Sequence, residues 1–165
     1  MILSVGRAVE KKGYDILLQA LALLRDKAAF RYIHAGGGDE LPKLKELASE
    51  LGIGGMIEWK GAMAQTEILD LYRSADIFAL ACRIGKDGDR DGLPNVLVEA
   101  SSQKLVCVST NVSGVPELLT DGVDGLVVPP ENPQAFADAL LRLIRDPDLR
   151  ETYGRKAERR VRQSF

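Results

Sequence analysis

Six short apolar runs, each followed by a segment with helical periodicity, constrain the fold of this chain before any motif is considered. They span residues 1–5, 30–35, 56–59, 77–81, 105–109 and 125–128. The runs are apolar throughout rather than alternating, as strands buried on both faces require. Between them Ile16, Ala20, Leu21 and Leu24 recur at helical spacing, as do Leu44, Leu47, Ala48 and Leu51, with Gly52 as a stop. Ile68, Leu69 and Tyr72 mark a third helix, and Phe136, Leu140, Leu143 and Ile144 another. Leu149, Tyr153, Ala157 and Val161 mark a last one. Residues 94–103 read as a helix and 116–120 as one helical turn. Strands alternating with helices predict α/β architecture: a single Rossmann-like three-layer domain over 1–165, with a parallel sheet of about six strands. There is no internal repeat, and the Pro-rich stretch 128–133 reads as a rigid turn within the domain.

Composition narrows the class. A chain of 165 residues with 45% hydrophobic and 28% charged residues fits a soluble globular domain with a real core. A net charge of -2 leaves no basic footprint for nucleic acid, so none is expected as a partner. The basic tail, residues 155–162, reads as the solvated face of the last helix or as a patch for an anionic partner. Two cysteines, Cys82 and Cys107, make no disulfide framework and point to a reducing, cytoplasmic compartment. No apolar run approaches a membrane span and the N-terminus lacks a leader pattern, which leaves peripheral contact at the inner face of a membrane open.

In an open α/β sheet, ligands bind at the carboxyl ends of the strands. The loops 6–13, 36–39, 60–65, 82–95 and 110–117 all follow strands and share that edge. The first carries Arg7, Lys11 and Lys12, a set suited to phosphate or to a solvated basic turn. It matches neither the dinucleotide fingerprint nor the P-loop, so NAD and ATP motor chemistry lose their main support. Gly36-Gly37-Gly38 either admits a ligand close to the backbone or makes a tight turn. Gly114-Val115-Pro116-Glu117 is an anion-receiving helix start or an ordinary acidic cap. His34 reads as a packed strand residue without a second histidine for a metal site. Cys82 has no adjacent base to make it a nucleophile, and Trp59 packs at the sheet or stacks on a flat base.

The stretch Asp91-Gly92-Leu93-Pro94-Asn95-Val96-Leu97-Val98-Glu99 carries the most chemistry. It sets two carboxylates eight positions apart around a turn that opens a helix, with Pro94 at the first helical position. The amides of that turn and the helix dipole form an anion site, with Asp91 before the helix and Glu99 about one and a half turns inside it. Acid-flanked helix starts are common, and the local pattern alone does not separate a ligand grip from a plain one.

Taken in register, these segments resemble the donor-binding half of the retaining glycosyltransferases of GT-B family 4. Gly6-Arg7 with Lys12-Gly13 resembles the family's basic loop, Gly36-Gly37-Gly38 its G-x-G turn, and Trp59-Lys60-Gly61 its strand end. Ala75-Asp76-Ile77-Phe78 resembles the strand entry before the signature, and Asp91 with Glu99 resembles E-x7-E. Gly114-Val115-Pro116-Glu117 and the segment 121–128 resemble the closing G-x-P-E and D-G-x-x-G-L-L-V stretches. The resemblance implies that the domain is the C-terminal half of a GT-B fold and binds a nucleoside diphosphate sugar as co-substrate. Glu99 would hold the ribose hydroxyls, because a carboxylate accepts hydrogen bonds from a vicinal diol. Arg7, Lys12 and Asp91 would act in catalysis, the cations stabilising charge on the departing diphosphate in place of a metal. Gly6, Gly37, Gly38, Gly92, Leu93, Pro94 and Asn95 would complete the donor site. No metal or other cofactor is expected.

Three departures from the family pattern stand out. Asp91 is one methylene shorter than the usual Glu. The loop 83–90 is longer and more charged than the plain form, and could order on donor binding. Lys104 and Val106 stand where Gly and Pro are usual, with a structural effect only. The resemblance also implies a second, N-terminal acceptor domain that this chain does not contain, and a last helix whose Arg159, Arg160 and Arg162 pack onto it. Two alternatives remain: a binding module that keeps the pocket without transfer, and a flavodoxin-like signalling domain without nucleotide affinity.

Overall fold

The computed structural model describes residues 1–89 and 92–165; the expected site residue Asp91 and its neighbour Arg90 lie outside the described residues. All six expected strands form: β1 (Ile2–Val5), β2 (Tyr32–Ala35), β3 (Ile57–Gly61), β4 (Ile77–Leu80), β5 (Cys107–Thr110) and β6 (Leu126–Val128). They make one parallel sheet in the order β3-β2-β1-β4-β5-β6. The chain builds outward from β1 to β3, then crosses back to β4 on the other side of β1. The strand order therefore reverses between β1 and β4, whose carboxyl ends open the crevice where such sheets bind ligands. Flavodoxin-like domains run 2-1-3-4-5, so this order removes the signalling-domain alternative.

Helices cover both faces: α1 (Tyr14–Leu24), α2 (Leu41–Glu50), α3 (Gln65–Ser74), α4 (Asn95–Ser102), α5 (Val115–Leu118), α6 (Pro133–Arg145) and α7 (Pro147–Ser164). α1 packs against α2 and α6, whereas α7 packs against α4 and α5. β1, β2, β4 and β5 are buried along their whole length, while the edge strands β3 and β6 are only partly covered. Apolar periodicity places the start of α6 and α7 too late. Asn132 accepts a hydrogen bond from the Ala135 N–H and Asp146 one from the Leu149 N–H. Each cap is followed by a proline at the first helical position, which begins the helix ahead of its first apolar residue.

Ser4, His34 and Trp59 stand side by side across β1, β2 and β3. The Ser4 hydroxyl lies 2.7 Å from His34 Nδ1 and within hydrogen-bond distance of the Tyr32 hydroxyl. The His34 ring meets Tyr14 edge-on at 4.6 Å and Trp59 at 5.9 Å between centroids. Trp59 is thus sheet-edge packing, and His34 a core residue. Burial lowers the His34 pKa from 6.5 to about 4, and the Gly6 backbone opposes this only in part. In the window between those two values the unfolded chain binds a proton that the fold refuses. The contribution of neutral His34 to stability is therefore complete above pH 6.5 and is lost as pH falls toward 4. A shift of that size corresponds to roughly 3 kcal/mol. Urea midpoints of wild type and His34→Gln, compared between pH 7 and pH 4.5, should show the steeper acid loss in wild type; parallel slopes would contradict it.

The last helix differs from expectation. Arg160 Nη1 donates to Asp124 Oδ2 at 3.1 Å and to Thr120 Oγ1 at 2.8 Å, and Nη2 donates to the Glu117 carbonyl at 2.9 Å. Arg162 pairs with Glu158 one turn back. Arg160 therefore fastens α7 onto the turn before β6 of this same chain, because the nearly buried Asp124 carboxylate requires a cation. Of the three, Arg159 and Arg162 keep exposed positions and Arg160 is half-buried. Lys104, in the place of the usual glycine, takes the left-handed conformation with φ 63°. That strain costs about 1 kcal/mol.

Candidate functional site at the carboxyl edge of the sheet

Three loops at this edge are stitched together by backbone hydrogen bonds. Gly36 N–H donates to the Gly61 carbonyl, and Gly6 N–H to the Ala35 carbonyl. Ala8 N–H donates to the Gly37 carbonyl at 2.8 Å, and Glu40 N–H returns to the Ala8 carbonyl at 3.0 Å. The glycine triplet is explained by this contact. A Cβ on Gly36 would stand 2.0 Å from the Gly6 oxygen, and one on Gly38 would stand 2.5 Å from the Ala8 nitrogen. Gly37 alone faces open space. The close approach is thus made first to the chain's own first loop, with Gly37 left as the exposed point of the turn.

That first loop holds Arg7 and Lys12 on one cavity of about 390 Å³, walled by Arg7, Val9, Lys11, Lys12 and Asp89. Arg7 is exposed and Lys12 half-buried. Among the described residues the cavity collects three cations against one carboxylate, so their field favours an anion. Asp89 Oδ2 sits 3.7 Å from Lys11 Nζ, which makes it the internal counter-charge of this cavity. The loop 83–89 is held over the basic loop by further contacts. Lys86 N–H donates to Glu10 Oε1 at 2.6 Å, and Arg83 N–H to the Lys11 carbonyl at 2.9 Å. Arg83 Nη2 donates to Asp15 Oδ2 at 2.8 Å, and Nε pairs with Glu131 Oε1 at 3.0 Å. Its guanidinium joins the loops after β1, β4 and β6 at the point where the strand order reverses. The side chains of Arg83, Asp87 and Asp89 in this loop thus have partners within the chain.

A larger cavity of about 610 Å³ lies on the α1 and α2 side, between Tyr14, Asp15, Lys43, Leu44, Arg83 and Glu131. None of the expected site residues among the described ones lines it. Its guanidinium is already paired to two carboxylates, so it offers an anion less than the smaller basic cavity does.

The signature helix begins one residue later than the spacing gives. Pro94 is the N-cap, with φ −63° and ψ 123°, and α4 starts at Asn95. The Gly92 carbonyl accepts a hydrogen bond from Gly114 N–H at 3.1 Å, which ties the chain entering α4 to the segment before α5. The helix start at Gly114 is therefore used internally, and α5 is only four residues long; it is an ordinary turn and no anion site. Among the described residues no side chain caps the start of α4, where first-turn amides face the sheet edge. Leu93 is half-buried, Pro94 buried, and Gly92 and Asn95 exposed.

Glu99 stands in the middle of α4, half-buried. Its Oε2 accepts a hydrogen bond from the Tyr72 hydroxyl at 2.9 Å. Glu99 is not among the walls of the Arg7 and Lys12 cavity. The structure thus brings Arg7, Lys12 and the glycine turns together, and holds Glu99 on a separate helix through Tyr72. Tyr72 was legible only as an apolar-face residue of α3. The usable signal was its hydroxyl, since a buried tyrosine requires a hydrogen-bond partner. Cys82 and Cys107 are both buried and unbridged. Among the described residues no group of three or more His, Cys, Asp or Glu side chains is placed to hold a metal ion. No helix among them is long and apolar enough to cross a membrane.

Comparison with known proteins gives a consistent result. A family model for glycosyl transferases group 1 matches residues 1–160. The amylovoran biosynthesis glycosyltransferase AmsK of Erwinia amylovora is 37% identical over 143 residues, covering 86% of this chain and 35% of that protein. The GDP-mannose-dependent alpha-(1-6)-phosphatidylinositol monomannoside mannosyltransferase of Mycobacterium tuberculosis strain H37Rv is 34% identical over 151 residues, 89% of this chain and 39% of that protein. The chain thus spans well under half the length of these relatives. The crystal structure of a glycosyltransferase from Rickettsia africae superposes with a TM-score of 0.86 at 25% identity, covering 99% of this chain and 43% of that one. Anabaena Alr3699/HepE in complex with UDP gives 0.88 at 24% identity, with 99% and 44% covered, and shows the shared fold.

Proposed function

The chain belongs to the group 1 glycosyl transferases, and on that footing we propose that it is the donor-binding domain of a retaining enzyme of GT-B family 4. The observation that carries this reading is the basic cavity of Arg7, Lys11 and Lys12 at the carboxyl edge of the sheet, beside the strand-order reversal. That UDP is bound by a protein of the same fold, and that a relative is named for its GDP-mannose dependence, support a nucleoside diphosphate sugar, of UDP or GDP type, as the ligand.

In this proposal Arg7 and Lys12 bind the diphosphate. As the glycosidic bond breaks, negative charge grows on the departing phosphate oxygens, and two positioned cations stabilise it more than they stabilise the intact donor. Gly6, Gly37 and Gly38 let the loops approach the donor, and the turn from Gly92 to Asn95 offers amides to phosphate or sugar oxygens at the start of α4. Glu99 accepts hydrogen bonds from the ribose hydroxyls, and Asp91 lies by the donor sugar. No metal takes part. Acceptor recognition falls to a second, N-terminal Rossmann-like domain, and the whole enzyme works in the cytoplasm with peripheral membrane contact.

Titration calorimetry of the 165-residue chain with UDP, GDP and their sugars tests this. Binding of one nucleotide with a Kd in the micromolar to millimolar range is expected, and Glu99→Ala should weaken it about 10- to 150-fold, the worth of a hydrogen bond to a charged group. No affinity for any of the ligands removes the proposal. Affinity that Glu99→Ala leaves untouched removes only the ribose assignment.

A further inference from the structure

We infer that Tyr72 is the positioning residue of the ribose subsite: its hydroxyl fixes the Glu99 carboxylate in the orientation that receives the sugar diol. The inference rests on the donor-site reading of Glu99 and adds a residue that neither the signature spacing nor the resemblance picks out.

Tyr72 is 1% exposed and sits near the end of α3, against Phe78 of β4, with ring centroids 5.9 Å apart. Its ring is thus packed in place, and a packed ring aims its hydroxyl in one direction. That hydroxyl donates to Glu99 Oε2 at 2.9 Å across the boundary between α3 and α4. The polarity of the bond is settled by chemistry. A carboxylate only accepts, so the phenol must keep its proton. Burial first, and the Glu99 hydrogen bond next, push the Tyr72 pKa up from 10.0, so the proton stays on the phenol throughout the working range.

A glutamate on a helix surface has three rotatable bonds, and fixing them costs more than for most side chains. The bond from Tyr72 meets that cost in the free protein, before a ligand arrives. It uses one acceptor position on Oε2 and leaves Oε1, with the remaining lone pairs, for two vicinal hydroxyls. The backbone supports the same arrangement from below, where the Ser102 hydroxyl donates to the Glu99 carbonyl at 2.6 Å and secures that turn of α4. A buried hydroxyl of this kind is therefore preorganisation of a binding group by its neighbour.

Tyr72→Phe removes the hydroxyl and keeps the ring against Phe78. The full chain is titrated by calorimetry with UDP, GDP and ADP, and then with the 2′,3′-dideoxy form of the tightest binder. In wild type the dideoxy form should bind more weakly. In Tyr72→Phe the affinity for the ribonucleotide should fall about tenfold, the usual scale when a supporting partner of a ligating group is lost, while the dideoxy form binds as before. The preference for ribose would then collapse toward one. In a Glu99→Ala background the same change should cost nothing further. A purely structural role would weaken both ligands alike, and this outcome overturns the inference, as does an unchanged preference. If Tyr72→Phe is silent while Glu99→Ala weakens binding, the donor site stands and only the role of Tyr72 falls. If Glu99→Ala is itself silent, both the ribose assignment and the inference fall together.

Discussion

Removal of both cations of the first loop, Arg7→Ala with Lys12→Ala, is expected to weaken binding of a nucleoside diphosphate by about a hundredfold or more. The cavity these residues share opens at the sheet edge, and among the described residues its only carboxylate wall is Asp89. Hydrogen bonds between charged groups contribute about 1.5–3 kcal/mol each, so losing one from each cation is already worth about a hundredfold. Arg7 is exposed and Lys12 only half-buried, so the fold should tolerate the change with little loss of stability. The decisive control is the matching nucleoside, which carries no phosphate. Its affinity should be unaffected, and the affinity of the diphosphate should fall with added salt in wild type far more than in the double variant. Equal losses for nucleoside and diphosphate would place the phosphates elsewhere.

Gly13→Ala should destabilise the domain by roughly 3–5 kcal/mol, the scale of a backbone clash combined with an unfavourable dihedral. Gly13 ends the first loop and starts α1 with φ 65°, a left-handed conformation that L side chains resist. Its Cα also lies against the residue that follows β4: an added Cβ would stand 1.7 Å from the Ala81 carbonyl oxygen. Neither partner can yield. Ala81 is fully buried, and Gly13 N–H donates to the Glu10 carbonyl in the turn that orders Lys11 and Lys12. Gly37→Ala is the matched comparison. Nothing lies within 4 Å of its added Cβ, and its φ is not positive, so its stability should stay within about 0.5 kcal/mol of wild type. Urea unfolding of the two variants side by side measures both. A mild effect at Gly13 would mean that the loops after β1 and β4 can separate at the crevice, contrary to the rigid junction the structure describes.

The six strands were legible because a strand buried on both faces is mostly apolar along its length, and such runs are short and bounded; the buried polar residues Ser4, His34, Ser109 and Thr110 interrupt that pattern. The edges show the limit of that rule. β3 carries Glu58 and Lys60, which pair at 2.7 Å on the exposed side of the sheet, yet it reads as a strand through its apolar first half. The caps Asn132 and Asp146 were missed as helix starts because apolar spacing reports only the buried stripe. Pro94 was placed one position too far inside α4 because the bond that holds Gly92, from Gly114, comes from a segment more than twenty residues on. Arg160 was assigned outward because its anionic partner Asp124 is buried in a turn 36 residues away.

The site divides in the same way. Arg7 and Lys12, two glycine turns and Glu99 can be nominated from residue type and spacing, since phosphate, diol and close backbone approach each demand a recognisable side chain or its absence. Which of them stand together is a different matter. Amino-acid order along the chain determined the alternation, the parallel sheet and the edge on which the chemistry lies, because periodicity and loop position are local properties. Only the tertiary structure decided that β4 lies beside β1, that Arg83 bridges three loops, that Asp89 faces the basic cavity and that Tyr72 holds Glu99. Those contacts join residues tens of positions apart. They arise from lateral strand order and from the need of buried polar groups for partners, which no local pattern records.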